Sequence, residues 1–525
     1  MAIGLLLNGL EVLSGRPIPL VVLLSIISLI LWSSIFSTSS KKKYSLPNLV
    51  PGLPIIGNTH QLPGEDFCLH VEQLAKSYGG KMFTLKIGNK FWVFLNNIRD
   101  VNELLEKRAA KSSSRIDFPM AQGLMSNHKR MLLMPYGDLW RRERKVVHSI
   151  LNVNQQNLFQ TFQDVESKAL LYNYLQDQAC WWKAHGSFSA SVIMSVIFGR
   201  RAAIGDENME AALKCSEQFE HYLEPGRAVV DVLPFLMKIP WLKNLQPWRW
   251  YGDALYRQTI GVYRKEMDDL RERMRLGTQK PCFMSELLDS KQHAQFSEEE
   301  LLFIGGTMIE AGTGSTRLSL HQCVAAAVAC PDWPVRVRAQ LDQVCGANAE
   351  RLPDFKDAIN LPLVKAAVKE SFRWKPTVAE TGVPHTMSED DSYMGFTIPS
   401  GSVIVYNHWT IANSSSEYEQ PDRFWPERFL NDDLDKPTKG HLGFGTGRRV
   451  CVGYNVGAGN MFIALARLLY CFEFEPVPGA PIDLSSPRLI RGTIEKAGFE
   501  VKIKVRSEAH RQLIERECRD AALQL

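Results

Sequence analysis

Apolar positions follow different rhythms along this chain, and each rhythm predicts a different element. No charged residue occurs between Arg16 and Lys41, and Ile18 to Phe36 is apolar enough to cross a bilayer as a helix. Lys41, Lys42 and Lys43 follow as a stop-transfer-like cluster with no clear small-x-small cleavage site, which predicts a retained anchor. These lysines outweigh Arg16, which Glu11 partly offsets, so the positive-inside rule places the rest of the chain in the cytosol. Short alternating runs at Met82 to Ile87 and Phe91 to Leu95 predict paired strands, and most of 97–375 carries helical periodicity broken at Gly and Pro. The longest helix is predicted over 298–329: Ser297-Glu298-Glu299-Glu300 reads as a capping box and Pro331 as a stop. At the standard rise it spans ~48 Å. Its apolar content, from Leu301-Leu302-Phe303-Ile304 to Val324–Val328, sends it through the core. The fold class is mainly α with small β-sheets.

Between anchor and body, Pro47, Pro51 and Pro54 fix φ and bar a continuous helix, so 44–60 reads as a stiff hinge. The organisation predicted is an anchor with its basic flank (1–43), this hinge, one large domain (61–505) and a polar helical tail (506–525). No Gly/Ser/Pro linker or charge block divides the body. With 61 Lys+Arg against 57 Asp+Glu the net charge is only +4, which argues against nucleic acid as a partner. Ten irregularly spaced cysteines form no disulfide scaffold and no Cys-x-x-Cys pair, in keeping with a reducing compartment.

One cysteine stands apart. In Phe444-Gly445-Thr446-Gly447-Arg448-Arg449-Val450-Cys451-Val452-Gly453, three glycines let the backbone bend tightly and approach a flat ligand around Cys451. N–H groups of such a turn stabilise a thiolate, and a nearby cation adds to this. Phe444, Gly447, Arg449, Cys451 and Gly453 match Phe-x-x-Gly-x-Arg-x-Cys-x-Gly and so resemble the haem-binding loop of the cytochrome P-450 family. Further segments fit in the family's order across roughly 47–505. Glu370-Ser371-Phe372-Arg373 resembles Glu-x-x-Arg, a pair facing one way on a helix, and Arg428 in Pro426-Glu427-Arg428-Phe429 resembles the arginine that joins it. Trp140 and Arg144 resemble Trp-x-x-x-Arg, whose indole and guanidinium meet a haem propionate. Arg449 is then expected at the other propionate. His385 either assists it or is satisfied within a strand.

Ala311-Gly312-Thr313-Gly314-Ser315-Thr316 aligns with Ala-Gly-x-Asp/Glu-Thr-Thr of the family's long helix. By that resemblance Ala311, Gly312, Ser315 and Thr316 are the catalytic-helix residues, with Gly312 relaxing the helix where dioxygen fits and Thr316 expected to face the protein. Gly314 stands at the acid's position and Ser315 at the threonine's, which puts the usual proton relay in question. Substrate contacts are expected from Met125, Val378, Ala379 and Ile490, although core packing accounts equally for the Met-rich stretch 120–134. Phe235 to Trp241, near Trp248 and Trp250, is either a second membrane patch or buried core.

The resemblance implies haem b with Cys451 as axial thiolate. It also implies an NADPH-cytochrome reductase as electron donor, a lipophilic small-molecule substrate and a single-pass place in the endoplasmic reticulum membrane. The stretch from Gly382 to Phe429 looks most like filamentous-fungal members, which act in terpenoid, polyketide or alkaloid pathways. The missing acid leaves a non-oxidative haem-thiolate isomerase or dehydratase as an alternative, and a non-catalytic ligand-binding relative as another.

Overall fold

The computed structural model describes residues 44–151, 156–239 and 246–523, with Ser28 alone before them. The predicted anchor at 18–36 lies, apart from Ser28, outside the described residues. Among the described residues no helix is long and apolar enough to cross a membrane.

The alternating runs become strands β1 (Met82–Ile87) and β2 (Lys90–Leu95), antiparallel with Met82 opposite Leu95. A five-stranded sheet has the order β1-β2-β7-β4-β3, adding β3 (Ser114–Arg115), β4 (His385–Thr386) and β7 (Val403–Tyr406). The β2–β7 pair is parallel; β5 (Asp391–Tyr393) with β6 (Phe396–Ile398), and β8 (Phe472–Glu475) with β9 (Lys502–Val505), form separate ribbons. The Pro-rich segment lies along β1: Val50 N–H donates to Thr84 O at 2.9 Å and Thr84 Oγ1 donates to Pro47 O at 2.7 Å. Prolines suit this place because an edge needs few of their missing N–H groups.

Helices make up the rest. Those of eleven residues or more are α1 (Phe67–Ser77), α2 (Asp138–Leu151), α3 (Gln156–Gln176), α4 (Trp181–Phe198), α5 (Glu207–His221) and α6 (Pro247–Leu276). They continue with α7 (Glu298–Ala329), α8 (Asp332–Cys345), α9 (Pro362–Arg373), α10 (Tyr454–Cys471) and α11 (Glu508–Leu523). The N-terminus of α7 is closed by the expected box, Glu300 N–H to Ser297 Oγ at 3.3 Å and Ser297 N–H to Glu300 Oε2 at 2.8 Å. Leu301–Ile309 are buried against α4 and α6, and Leu318–Ala327 against α4, α9 and α10, so α7 runs between two apolar clusters. Gly312 lets it pass α4 closely: a Cβ there would lie 2.7 Å from Ile193 Cγ1. The chain's last helix, α11, seats Leu513, Ile514 and Cys518 in the same core as α3.

Candidate active site

The cysteine loop runs directly into α10, and its shape is fixed by Gly447, which has φ +64° and whose Cβ would lie 2.0 Å from Leu105 O. No L side chain fits there. Cys451 N–H donates to Phe444 O at 2.8 Å, and the Phe444 ring packs 4.7 Å from that of Phe372. Protein atoms enclose Cys451 on nearly every side, yet its side chain keeps accessible surface. Both hold only if the sulfur faces an internal cavity. Burial pushes the thiol upward, while the Gly453 N–H and Arg144 pull it down without cancelling that rise; ligation by a metal would deprotonate it outright.

α7 presents a matching open face. Between the buried runs 301–309 and 316–327, Ala311 and Ser315 are exposed one turn apart, and a Cβ on Gly314 would meet nothing within 4 Å. Asn460 Nδ2 of α10 donates to Thr316 Oγ1 at 3.3 Å, which ties α10 to this stretch. Two of the expectations meet the structure here. Thr316 is buried and committed to Asn460, so it faces protein and not the cavity. Gly312 does not relax the helix, which is continuous from Glu298 to Ala329; its missing side chain serves the contact with α4. Ser315 Oγ donates to Ala311 O at 2.6 Å.

At the cavity's side stands a cluster of cations. The Arg449 and Arg144 guanidiniums lie 4.0 and 5.3 Å from the Trp140 ring centroid. Arg449 Nε donates to Ser113 O at 2.8 Å and Nη2 to Met134 O at 2.7 Å, while Arg144 Nη2 donates to Val450 O at 2.5 Å. His385, on β4, is buried with Nδ1 donating to Ser112 O at 2.7 Å. Arg115, on β3, joins them: Nη1 donates to Pro384 O at 3.3 Å, and Nε is buried without a partner. Among the described residues no carboxylate pairs with Arg115, Arg144 or Arg449. Burial and mutual repulsion therefore push Arg449 down to about 8 and Arg115 to about 10, and hold His385 well below its ordinary value. Buried guanidiniums without counterions are costly. They fit a group that brings two carboxylates into a flat slot beside an open thiol, which is the donor set haem requires.

Beneath the cysteine loop, Glu370 and Arg373 are fully buried. Arg373 Nε donates to Glu370 Oε2 at 3.0 Å, Arg428 Nε to Glu370 at 3.2 Å and Trp425 N–H to Glu370 Oε1 at 2.8 Å. This network ties α9 to the strap before the loop.

The substrate expectations divide. Ala379 is exposed, with φ +49°, and Val378 is half-buried beside it. Met125 and Ile490 are corrected: both have no exposed surface and belong to core clusters, Met125 with Phe118 and Met120, Ile490 with Phe472 and Phe499. Residues that sequence reasoning missed are Arg115, Glu380 and Arg491; the last two form a 3.1 Å ion pair next to Ala379. None lies in a motif, and only the pairing of β3 with β4 brings Arg115 to His385.

The sequence profile of the cytochrome P-450 family matches residues 47–501. Cytochrome P-450 monooxygenase aneD of Aspergillus aculeatus is 33% identical over 489 residues, covering 91% of this chain and 92% of its own. The monooxygenase patI of Penicillium expansum is 30% identical over 514 residues, 96% of each chain. A zebrafish cytochrome P-450 solved with abiraterone shares the fold, with a TM-score of 0.63 at 23% identity over 84% of this chain and 100% of that one. The chain belongs to the cytochrome P-450 family of haem-thiolate monooxygenases.

Proposed function

We propose that the protein oxidises a lipophilic small molecule of fungal secondary metabolism, of terpenoid, polyketide or alkaloid type. Electrons come from NADPH through a flavoprotein cytochrome reductase, and the catalytic body rests on the cytosolic face of the endoplasmic reticulum. The observation that carries this reading is the accessible Cys451 in its glycine-shaped loop, flanked by arginines that have no carboxylate partner among the described residues. Cys451 Sγ would hold the haem iron; Trp140, Arg144, Arg449, Arg115 and His385 would hold the propionates; Phe444, Gly447 and Gly453 set the loop, and Glu370, Arg373 and Arg428 brace it. Bound haem supplies the activation of dioxygen. Ala311 leaves room above it, the Ser315 hydroxyl orients a water in the space Gly314 leaves, and Val378 and Ala379 limit where the substrate lies. Leu49, Leu53, Phe235 and Trp250 are about half exposed, which supports a body seated against lipid.

The test is spectroscopic and metabolic. Wild type should show the red-shifted ferrous carbonyl band of a thiolate-ligated haem, and Cys451→Ser should lose it. Comparing the metabolites of cells with and without the protein then identifies the substrate. Product formed without NADPH and dioxygen would replace this reading with the isomerase or dehydratase one.

A further inference from the structure

A buried ion pair joins Arg130, in the segment before α2, to Glu310 of α7, 180 positions away. Arg130 Nε also donates to Ser126 Oγ at 3.1 Å, and its guanidinium lies 3.8 Å from the Phe219 ring centroid and 5.8 Å from that of Phe303. Around this pair, two polar atoms are buried without partners, Glu310 Oε1 and Thr307 Oγ1, and the Tyr263 phenol lies against the Arg130 guanidinium. Thr307 is 8% and Tyr263 2% exposed. Arg130 offsets part of the burial that raises the Tyr263 phenol to about 12, which sets that phenol beside the guanidinium. Thr307 and Glu310 are neighbours on one side of α7. Thr307 stands one turn before Ala311, and Glu310 one turn before Gly314, so the cluster adjoins the open face of the cavity.

Unpartnered buried hydroxyls and carboxylate oxygens cost free energy that a ligand with matching groups recovers. We propose that this cluster is a polar subsite in the roof of the substrate cavity. It takes a neutral hydroxyl of the substrate, an alcohol or a phenol, which donates to Glu310 Oε1 and accepts from Thr307 Oγ1. The proposal rests on the haem-thiolate reading of the cavity. Charge decides the ligand class: Arg130 and Glu310 already cancel, so a carboxylate would place a second anion beside Glu310 and an ammonium a second cation beside Arg130. A hydroxyl adds no charge and supplies both a donor and an acceptor.

The probes are naphthalene, 2-naphthol and 2-naphthoate, bound to the haem-loaded full chain without reductant and measured by equilibrium dialysis. Wild type should bind 2-naphthol ~10-fold more tightly than naphthalene, the gain expected of one hydrogen bond to a charged group, and 2-naphthoate more weakly than 2-naphthol. In R130M/E310L, which exchanges the pair for apolar side chains, the preference for 2-naphthol should vanish. Thr307→Val, which keeps the side chain's shape, should reduce it several-fold with an unchanged melting temperature. Equal affinity for naphthalene and 2-naphthol in wild type, an undiminished preference in Thr307→Val, or tighter binding of 2-naphthoate overturns the subsite. A chain without a red-shifted carbonyl band overturns the functional reading instead, since dialysis does not depend on the iron.

Discussion

Glu143 shows what a single side chain costs when its neighbours belong to another task. It lies on the buried side of α2, between Trp140 and Arg144, with no exposed surface and with both carboxylate oxygens unpartnered. Burial first, then the charge of Glu300, pushes its carboxyl up to about 8, against the opposing charges of Lys129 and Arg142. In the unfolded chain it would ionise near its ordinary value of 4.5. Between those limits the unfolded state holds fewer protons than the folded one, so this residue lowers stability as pH rises, and the full cost is present above pH 8. Glu143→Gln should therefore match wild type below pH 4 and exceed it by on the order of 5 kcal/mol above pH 8, at about 1.4 kcal/mol for each pH unit that separates the two ionisations. Denaturant unfolding of the two proteins across that range is the measurement, and parallel pH profiles would show that Glu143 finds a partner in solution. Nothing in the local sequence marks Glu143 as buried, because the Arg-rich run around it reads as a solvated face. Cys451 is the opposite case: its neighbours identify it because backbone shape and ligand chemistry are written into consecutive residues.

The same contrast holds for whole elements. Helix α7 begins and ends where Ser297, Glu300 and Pro331 place it, and β1 and β2 pair as their alternation requires, because caps and periodicity are local signals. Which face of α7 looks at the cavity is not local. It depends on Ile193 of α4 filling the side of Gly312 and on Asn460 of α10 holding Thr316, and both partners are more than a hundred residues away. Met125 and Ile490 escape the local signal for that reason: an apolar stretch shows that something is buried, not whether it faces core or ligand. The open space beside Gly314 has a functional consequence. With no acid in it, the exposed Ser315 hydroxyl is left to orient water under the proposed function, and mobile water is less preorganised than a fixed carboxyl. The enzyme should therefore oxidise substrate with peroxide released beside product. Ser315→Ala should lower product formed per NADPH consumed by ~10-fold or more, the low end of what general acid transfer contributes. A Cβ at position 314 meets nothing within 4 Å, and Gly314→Asp should raise that ratio. Unchanged coupling in Ser315→Ala would remove Ser315 from the relay.

At the scale of the molecule, the proposed function needs electrons from a reductase, and surface charge beside the cysteine loop is where such a partner would be steered. α2 carries Arg141, Arg142 and Lys145 on its exposed face, and Arg448 of the cysteine loop is exposed nearby, 5.4 Å from the same Tyr136 ring that Arg141 covers. These cations are not equivalent. Arg142 donates to Gln295 O at 3.2 Å and stacks 5.9 Å from Phe296, so it helps seat the loop before α7. Arg141 pairs with the exposed Asp138 of its own helix and lies over the Tyr136 ring, with no contact to the loop before α7 among the described residues. Arg141 and Lys145 are thus the residues free to steer an acidic reductase toward the cysteine loop, and their reversal leaves the loop at Gln295 intact. Long-range attraction of this kind acts on encounter, so it changes rates more than affinity and fades as salt shortens the Debye length from ~10 Å at 0.1 M to ~3 Å at 1 M. Arg141→Glu/Lys145→Glu should take up haem normally and show an unaltered carbonyl band. Its reduction by the flavoprotein at low salt should be slower by roughly tenfold in stopped-flow, and the difference from wild type should close as salt is added. Equal rates at low salt would place the docking surface elsewhere; a deficit that persists at 1 M salt would mean that the substitutions disturb the Trp140–Arg144 side of α2 and not the encounter.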